Sequence, residues 1–296
     1  MTSQIWKLEN EYLTVFVQEK GAQLWSIKDK EGNEYLWQGD DAYWGDRAPN
    51  LFPHIARLTE GAYTLNGQRY EMDIHGFAKD SLFEAEQISD SHIVFTIKDS
   101  AATRKQYPFA FIFSISYELE KNGIKITYSV KNEDNKKLYF GVGAHPGFNV
   151  PFETGITFED YYLEFDWEAP AKRVGFSEDC YVTGPNELYP QVEGKKIPLC
   201  HSMFDEDAIV LVDMAHGVTL TSDKGKKAIH VSYPDMPYLG LWHWPKTDAP
   251  YICIEPWSSL PARKNIVEDF ATQPSMLCLE PGCECENQIC IRFIDK

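Results

Sequence analysis

Three stretches of the sequence place an ionisable side chain beside an apolar, strand-like run, where it could act as an acid or a base. Residues 138–152 carry no carboxylate, lysine or arginine, and His145 stands among them directly before a Pro-Gly turn. His75 precedes Gly-Phe-Ala, and Glu255 is the only charged residue between positions 249 and 262. Buried carboxylates are rare unless paired, and desolvation raises their pKa. Together, the two histidines and the glutamate favour a shared acid/base site.

Each of these residues also has a structural interpretation when it is taken alone. A histidine at the end of a strand is often a satisfied core residue, and Glu255 could simply pair with an arginine. The catalytic interpretation requires that His145 and Glu255 lie close together in the fold. A separation of more than about 10 Å would exclude it, because no pyranose could bridge that gap in the geometry that proton transfer needs.

Motifs of other chemistries are missing or incomplete. The sequence contains no G-x-S-x-G, no G-x-x-x-x-G-K-[ST] and no H-E-x-x-H. Gly141-x-Gly143 resembles the start of a dinucleotide fingerprint, but Pro146 prevents a helix from beginning there. The C-x-C-x4-C cluster at positions 283–290 has no fourth ligand at a usual zinc spacing, which favours ordinary strand thiols. We therefore predict no metal and no cofactor.

The elements that must position these residues are predicted to be strands. Apolar and β-branched residues alternate in short runs separated by turn signals, including Asn66-Gly67, which favours a type I′ hairpin. The best helix candidate covers only residues 100–106, and residues 166–203 are expected to be rich in loops. We predict an all-β fold, one large antiparallel β-sandwich formed by residues 1–296 as a single domain. Strands are predicted at residues 12–17, 22–27, 35–37, 62–65, 68–72, 92–97, 109–119, 123–130, 161–165, 208–213, 217–221, 228–233, 239–242, 251–254, 275–279 and 288–294.

Composition restricts the partners and the compartment. The formal net charge of −17 argues against nucleic acid or anionic lipid as the main partner, and mildly against a highly phosphorylated substrate. The N-terminal residues do not resemble a signal peptide, and no apolar run is long enough to span a membrane. Seven cysteines, an odd number, suit a reducing environment better than a disulfide framework. A cytoplasmic protein without a membrane segment is expected.

Four motifs occur in one order along the chain. They are Asn50-Leu-Phe-Pro-His-Ile-Ala-Arg-Leu with Gly61 following, His75-Gly-Phe-Ala-Lys-Asp, Gly143-Ala-His-Pro-Gly-Phe and Ile254-Glu-Pro-Trp. In this order and spacing they resemble the aldose 1-epimerase (galactose mutarotase) family, and most closely its LacX-like branch. The resemblance covers about residues 5–295. It implies a galactose mutarotase-like sandwich with an open sugar-binding cleft, and interconversion of the α and β anomers of an aldohexose without a cofactor.

The resemblance also implies roles for particular residues. Glu255 corresponds to the general base of the family, and His145 to its general acid. His75 and Arg57 correspond to the residues that bind and orient the sugar. The family aspartate that holds a ring hydroxyl falls in the segment 204–210.

Three positions near these motifs are ambiguous or depart from the family pattern. We assign the sugar-binding aspartate to Asp207, with Asp205 as a rival. Ala56 stands where the family usually has a glycine, and Lys79 replaces a frequent arginine. Neither departure removes a catalytic group, although Lys79 could not make the planar bidentate contacts of an arginine.

Other functions remain open at the level of the sequence. A hexose-phosphate epimerase would need two or more basic side chains in the cleft, and a non-catalytic sugar-binding or sugar-sensing module could use the same fold. The basic candidates are Arg57, Lys79, Arg47 and Arg263. Aromatic candidates for the apolar face of a pyranose are Trp242, Trp244, Trp257, Phe77 and Phe148. His54 and His243 are less favoured as substrate contacts.

Overall fold

The computed structural model describes residues 3–190 and 194–296, and β-strands form most of its regular structure. The single α-helix in these residues is α1 (Thr103–Gln106), and short 3-10 turns lie at Thr59–Gly61, Ala78–Asp80, Phe158–Asp160 and His201–Phe204. The strands are β1 (Ile5–Glu9), β2 (Leu13–Gln18), β3 (Gln23–Asp29), β4 (Asn50–Leu51), β5 (Ala62–Leu65), β6 (Gln68–Glu71), β7 (Glu84–Ser89), β8 (His92–Lys98), β9 (Phe111–Glu120), β10 (Gly123–Asn132), β11 (Leu138–Phe140), β12 (Gly143–Ala144), β13 (Gly147–Asn149), β14 (Tyr162–Phe165), β15 (Lys172–Phe176), β16 (Val182–Leu188), β17 (Lys196–Pro198), β18 (Ile209–Val212), β19 (Gly217–Thr221), β20 (Lys227–Ser232), β21 (Tyr238–Trp242), β22 (Tyr251–Trp257), β23 (Leu277–Leu279) and β24 (Glu284–Asp295).

Two large antiparallel sheets dominate the fold. One has the strand order β17-β14-β19-β20-β24-β10-β9-β8-β7, and the other has the order β16-β15-β18-β21-β22-β12-β4, with β13 also paired to β22. Smaller sheets are formed by β1-β2-β3, β5-β6 and β11-β23. Many strands that lie side by side, such as β24 and β10, are far apart in the chain. The strand order therefore could not be obtained from the pattern of strands along the sequence.

The main hydrophobic core joins the two large sheets. Phe111, Phe113 and Ile115 of β9 belong to the same buried cluster as Ile252 and Ile254 of β22. Successive side chains of a strand point to opposite faces, so the odd-numbered residues of β22 face away from this core. The all-β antiparallel sandwich predicted from the sequence is confirmed.

Local predictions agree with the structure where the sequence pattern was strong. The Asn66-Gly67 turn joins β5 and β6, and both residues have positive φ, 53° and 78°, as a type I′ turn requires. The predicted helix at 100–106 is present, but it is limited to one turn at its C-terminal end.

Two local predictions were wrong. Residues 166–203 are not merely loop-rich, because β15, β16 and β17 lie within them. Polar, glycine-containing strands of this kind lack the apolar alternation on which the prediction depended. Residues 35–37 form no strand; their backbone is held by isolated contacts such as the Leu36–Phe148 bridge. No helix within the described residues is long and apolar enough to cross a membrane.

Candidate active site

The strand register brings His145 and Glu255 together. Gly147 of β13 pairs with Cys253 of β22, and the same register two residues earlier places His145 opposite Glu255. The distance between His145 Nε2 and Glu255 Oε2 is 3.2 Å. This is far below the separation that would exclude a shared acid/base site. The pairing joins residues 110 positions apart, which explains why no local pattern could reveal it.

Glu255 is held in a dry environment at the end of a completely buried strand. Only 1% of the residue is exposed, and among the described residues its Oε2 atom has no polar neighbour in hydrogen-bonding geometry beyond the contact with His145 Nε2. Gly240 of β21 lies opposite Glu255, where an added Cβ would lie 3.1 Å from the Glu255 Cβ. Burial raises the pKa of Glu255 well above its usual value. The fold therefore keeps a carboxyl group in surroundings that favour its uncharged form.

His145 is enclosed by aromatic rings. The Trp44 ring lies 4.8 Å from the imidazole, centroid to centroid, and the Trp242 ring lies 5.6 Å away, nearly perpendicular. The Nδ1 atom is buried without a hydrogen-bond partner. Burial lowers the pKa of His145 to about 3. Burial thus acts in the same sense on both members of the pair, by favouring an uncharged imidazole beside an uncharged carboxyl.

His75 is fixed in one tautomer by the backbone of Ala56. The Ala56 N–H donates to His75 Nδ1 at 3.1 Å, and the His75 N–H donates to the Ala56 carbonyl at 2.9 Å. Since Nδ1 accepts a hydrogen bond, the ring proton of a neutral His75 lies on Nε2. Burial lowers the pKa of His75 well below its usual value, which keeps the ring neutral. The His75 ring lies 5.5 Å from the His145 ring.

The backbone around His75 is left-handed at three positions. His75, Gly76 and Ala56 have φ values of 66°, 73° and 53°. A Cβ at Gly76 would lie 2.3 Å from the Phe52 carbonyl oxygen, so only glycine fits this close approach. Ala56 occupies the position at which the family usually has glycine, and its positive φ explains that preference.

Arg57 and Asp207 lie in the lining of the same cavity as the acid/base pair. The Arg57 side chain is exposed and makes no ion pair or hydrogen bond with the residues that the structure describes. Asp207 accepts a hydrogen bond from the Ala208 N–H through Oδ1, at 2.8 Å. Asp205 is exposed and does not line the cavity, which favours Asp207 of the two rival aspartates.

The cavity has a volume of about 510 Å³ and combines aromatic walls with a few polar groups. This is within the usual range for small-molecule sites. The lining contains all five residues predicted from the sequence, His145, Glu255, His75, Arg57 and Asp207, together with Trp44, Asp46, Pro49, Ala56, Ile74, Lys79, Phe176, Cys180, Ala208, Trp242, Trp244, Pro245, Trp257 and Pro261.

The aromatic and histidine candidates divide between the cavity and the core. The three predicted tryptophans line the cavity, whereas Phe77 and Phe148 belong to the main core. His54 and His243 are completely buried and absent from the lining. Trp44 was missed because it lies in a turn, outside any periodic run.

Cys253 is a second residue that the sequence did not reveal as a neighbour of the site. Three atoms lie within 4.8 Å of one another: the Cys253 Sγ, one ring nitrogen of His145 and one carboxylate oxygen of Glu255. The sequence did contain one indication that Cys253 lies near the site. Cys253 stands two residues before Glu255 in a strand, and residues two apart in a strand have their side chains on the same face.

Comparisons with known proteins agree with this geometry. The sequence profile of the family described as aldose 1-epimerase matches residues 4–284. The chromosomal LacX protein of Lactococcus lactis subsp. lactis is 37% identical over 289 residues, which cover 93% of this chain and 95% of that protein.

Solved structures extend the comparison. A galactose mutarotase-like protein of Lactobacillus casei ATCC 334 has 31% identity and a TM-score of 0.94, with coverage of 98% of this chain and 100% of that one. A galactose mutarotase related enzyme of Lactobacillus acidophilus has 32% identity and a TM-score of 0.93, with coverage of 99% and 98%. The profile match over most of the length, together with relatives above 30% identity, shows that this chain belongs to the aldose 1-epimerase family.

Proposed function

We propose that this protein is a mutarotase that interconverts the α and β anomers of an unphosphorylated aldohexose. The observation that carries the proposal is the 3.2 Å contact between His145 Nε2 and Glu255 Oε2 in the wall of a cavity of about 510 Å³. Glu255 acts as the general base and His145 as the general acid. Membership of the aldose 1-epimerase family supports this assignment of roles.

The reaction needs two proton transfers that balance each other. The Glu255 carboxylate takes the proton of the anomeric hydroxyl while the protonated His145 gives one to the ring oxygen. The bond between C1 and the ring oxygen breaks, and the aldehyde rotates about the C1–C2 bond. Closure on the other face reverses both transfers. Each positioned acid or base contributes roughly 10²–10⁴ in rate.

The dry surroundings favour the ring-opened stage. Ring opening starts from the charged pair, an imidazolium beside a carboxylate, which burial disfavours in the sugar-free site, and it leaves both groups neutral. Burial favours the neutral forms of Glu255 and His145, so it assists the transfer of one proton from the anomeric hydroxyl to Glu255 and of the other from His145 to the ring oxygen.

We assign the remaining polar residues of the cavity to holding the sugar. His75 offers a neutral Nε2–H donor, Arg57 offers a guanidinium that has no ion-pair partner among the described residues, and Asp207 offers a carboxylate that can accept from a ring hydroxyl. The indole rings of Trp44 and Trp242 offer apolar faces to the C–H side of a pyranose.

The distribution of basic side chains favours a sugar without a phosphate group. Arg47 lies over the Trp25 ring at 3.8 Å and is not in the cavity lining. Arg263 is paired with Glu268 at 2.8 Å, and Lys79 forms an ion pair with Asp80. Arg57 and Lys79 are the two basic candidates that line the cavity, and the ion pair with Asp80 partly neutralises Lys79.

The buried acid/base pair also favours an enzyme over a sugar-binding module. A binding module gains nothing from a carboxyl group held at 1% exposure with an unpartnered oxygen, because this arrangement costs stability. A base for proton transfer does need such an environment, since burial raises a carboxyl pKa toward neutrality.

Anomer exchange, followed by NMR or polarimetry, tests the proposal. We would supply D-glucose, D-galactose and their 6-phosphates to the wild-type protein and to the variants Glu255→Gln and His145→Asn. We expect exchange of the free sugars by the wild type, and a loss of about 10²–10⁴ in each variant. Undiminished exchange in both variants would overturn the mechanism. Faster exchange of the 6-phosphates would instead favour the hexose-phosphate epimerase.

A further inference from the structure

Three metal-ligating side chains converge at the base of the candidate site. Ligand atoms of His145, Cys253 and Glu255 all lie within 4.8 Å of one another. Cys253 and Glu255 project from the same face of β22, and His145 faces Glu255 from the neighbouring strand. Cys253 is completely buried and has no part in the proton transfers described above.

The donor set suits a borderline or soft divalent cation. Imidazole, thiolate and carboxylate are the ligands that zinc prefers, and three protein ligands leave a fourth position open. In a tetrahedral zinc site the ligand atoms lie roughly 3.3–3.6 Å apart, given zinc–ligand distances of about 2.0–2.3 Å. His145 Nε2 and Glu255 Oε2 already lie 3.2 Å apart. A side-chain adjustment of about 1 Å would therefore complete the geometry.

Two further observations point to a ligand at this position. Apart from its contact with His145 Nε2, Glu255 Oε2 is buried without a hydrogen-bond partner among the described residues, so it has an unused lone pair where a cation would lie. Glu255 and His145 also line the cavity, which provides a route to the ligands from one side. The charges balance as well, because one thiolate and one carboxylate neutralise a divalent cation in a region where an unpaired charge would be costly.

We propose that His145, Cys253 and Glu255 form a binding site for a thiophilic divalent cation such as Zn²⁺ or Cd²⁺, and that its occupation blocks the sugar site. On binding, the proton of the Cys253 thiol and any proton on Glu255 are released to solvent, and the cation takes the lone pairs that the general acid and base need. The cation and the sugar are then mutually exclusive. The binding step is independent of the proposed mutarotase activity, whereas the inhibition rests on it.

Cadmium titration tests the binding step directly. Thiolate coordination to Cd²⁺ produces a charge-transfer absorption in the ultraviolet, which we would record for the wild type and for Cys253→Ala and Cys253→Ser. All seven cysteines are free, so the difference between the wild type and the variants isolates Cys253. Cys180→Ser is the matched control, because Cys180 is the cysteine in the cavity lining.

We expect the wild type and Cys180→Ser each to bind one equivalent of Cd²⁺ at this site. Both Cys253 variants should bind this equivalent at least about tenfold more weakly, or not at all. Excess Mg²⁺ should not displace it, since thiolate is a poor ligand for a hard cation. Two Cys253 variants are used so that the test survives if one fails to fold. Equal Cd²⁺ absorption in the wild type and in a folded Cys253 variant would overturn the proposal.

Inhibition provides the second readout. Each protein's rate of anomer exchange with Zn²⁺ is divided by its own rate with a chelator present. We expect Zn²⁺ to inhibit the wild type and Cys180→Ser much more strongly than either Cys253 variant, and D-galactose to relieve this inhibition competitively. Equal fractional inhibition of all four proteins would overturn the blocking role. If the wild type shows no exchange at all, the proposed function fails, but the Cd²⁺ titration still decides the site.

Discussion

Two buried polar clusters, one around Asn50 and one around His145, differ in how many of their polar atoms have partners. The Asn50 side-chain amide donates to the carbonyls of Gly21 and Ala22 and to the Tyr117 hydroxyl, and its oxygen accepts from Tyr128 at 2.8 Å. In the other cluster, His145 Nδ1 has no hydrogen-bond partner in the part of the chain that the structure describes, and Glu255 Oε2 has only its contact with His145 Nε2.

The difference separates groups that stabilise the fold from groups that are kept reactive. A buried polar atom without a partner costs free energy, so a cluster that leaves such atoms free lowers stability. The Asn50 cluster holds β4 against the connection between β2 and β3 and against the long strands β9 and β10. The His145 cluster lowers the stability of the fold, but it leaves an acid and a base available to a ligand. Four predictions test this division.

The largest expected effect is on catalysis. Glu255→Gln should reduce anomer exchange by about 10²–10⁴, because the amide cannot accept the proton. The same change should leave the free energy of unfolding within about 1 kcal/mol of wild type, or raise it, since the carboxyl is not part of a satisfied network. Exchange kinetics and urea unfolding would measure both. A large loss of stability would contradict the division into two kinds of cluster.

Asn50→Ala should have the opposite result. It leaves the hydroxyls of Tyr117 and Tyr128 short of a partner in the core, so we expect a loss of about 2–4 kcal/mol in the free energy of unfolding. The exchange rate per folded molecule should fall far less than in Glu255→Gln. Thr96→Ala is the control, because it removes a half-buried hydroxyl pair with Ser114 and should cost under about 1 kcal/mol. Equal losses in both variants would contradict the special role of Asn50.

The third prediction concerns acid. The pKa of His145 is lowered to about 3 in the fold from an ordinary value of 6.5. Between these pH values His145 is protonated in the unfolded chain but not in the folded chain. The free energy of unfolding therefore falls as the pH drops from about 6.5 toward 3. His145→Asn removes this contribution, so the stability of the variant relative to wild type should rise as the pH is lowered from about 6.5 toward 3. His216→Asn, which lies outside the cavity, serves as the control. A pH-independent difference would refute the assignment.

The smallest expected effect concerns Ala56, whose φ of 53° is costly for a residue with a side chain. The left-handed conformation costs roughly 1–2 kcal/mol, and the greater freedom of glycine in the unfolded chain returns about 0.5–1. Ala56→Gly should therefore stabilise the protein by about 0.5–1 kcal/mol in urea unfolding. Ala78→Gly, at a buried position without a positive φ, should instead destabilise it. Destabilisation by Ala56→Gly would show that the left-handed backbone at Ala56 does not carry this cost.

Much of the fold class was predictable because alternation is a local property. The runs that became β2, β8, β9 and β10 alternate strongly, and their positions were predicted within a few residues. The segment 166–203 was mispredicted because its strands β15 to β17 are polar or contain glycine, so burial does not mark their faces.

The identity of the candidate site residues was also predictable, but their neighbours were not. His145, Glu255, His75 and Arg57 stand in motifs that resemble a family, and Asp207 was chosen over Asp205 without a structural reason. Their roles stay predictions until the variants are measured. The places of Trp44 and Cys253 were not predicted, since neither stands in a motif that carries acid/base chemistry.

The sequence by itself determined which groups could do chemistry: a histidine in an uncharged run, a glutamate as the only charge of a strand, and an alternation that requires a β-sandwich. The tertiary structure decided which of these groups meet. The register between β13 and β22 placed His145 opposite Glu255 and put Cys253 beside them, and the fold separately paired Arg263 with Glu268. The physical reason is that strand pairing acts between distant segments, whereas alternation records only which face of each strand is buried.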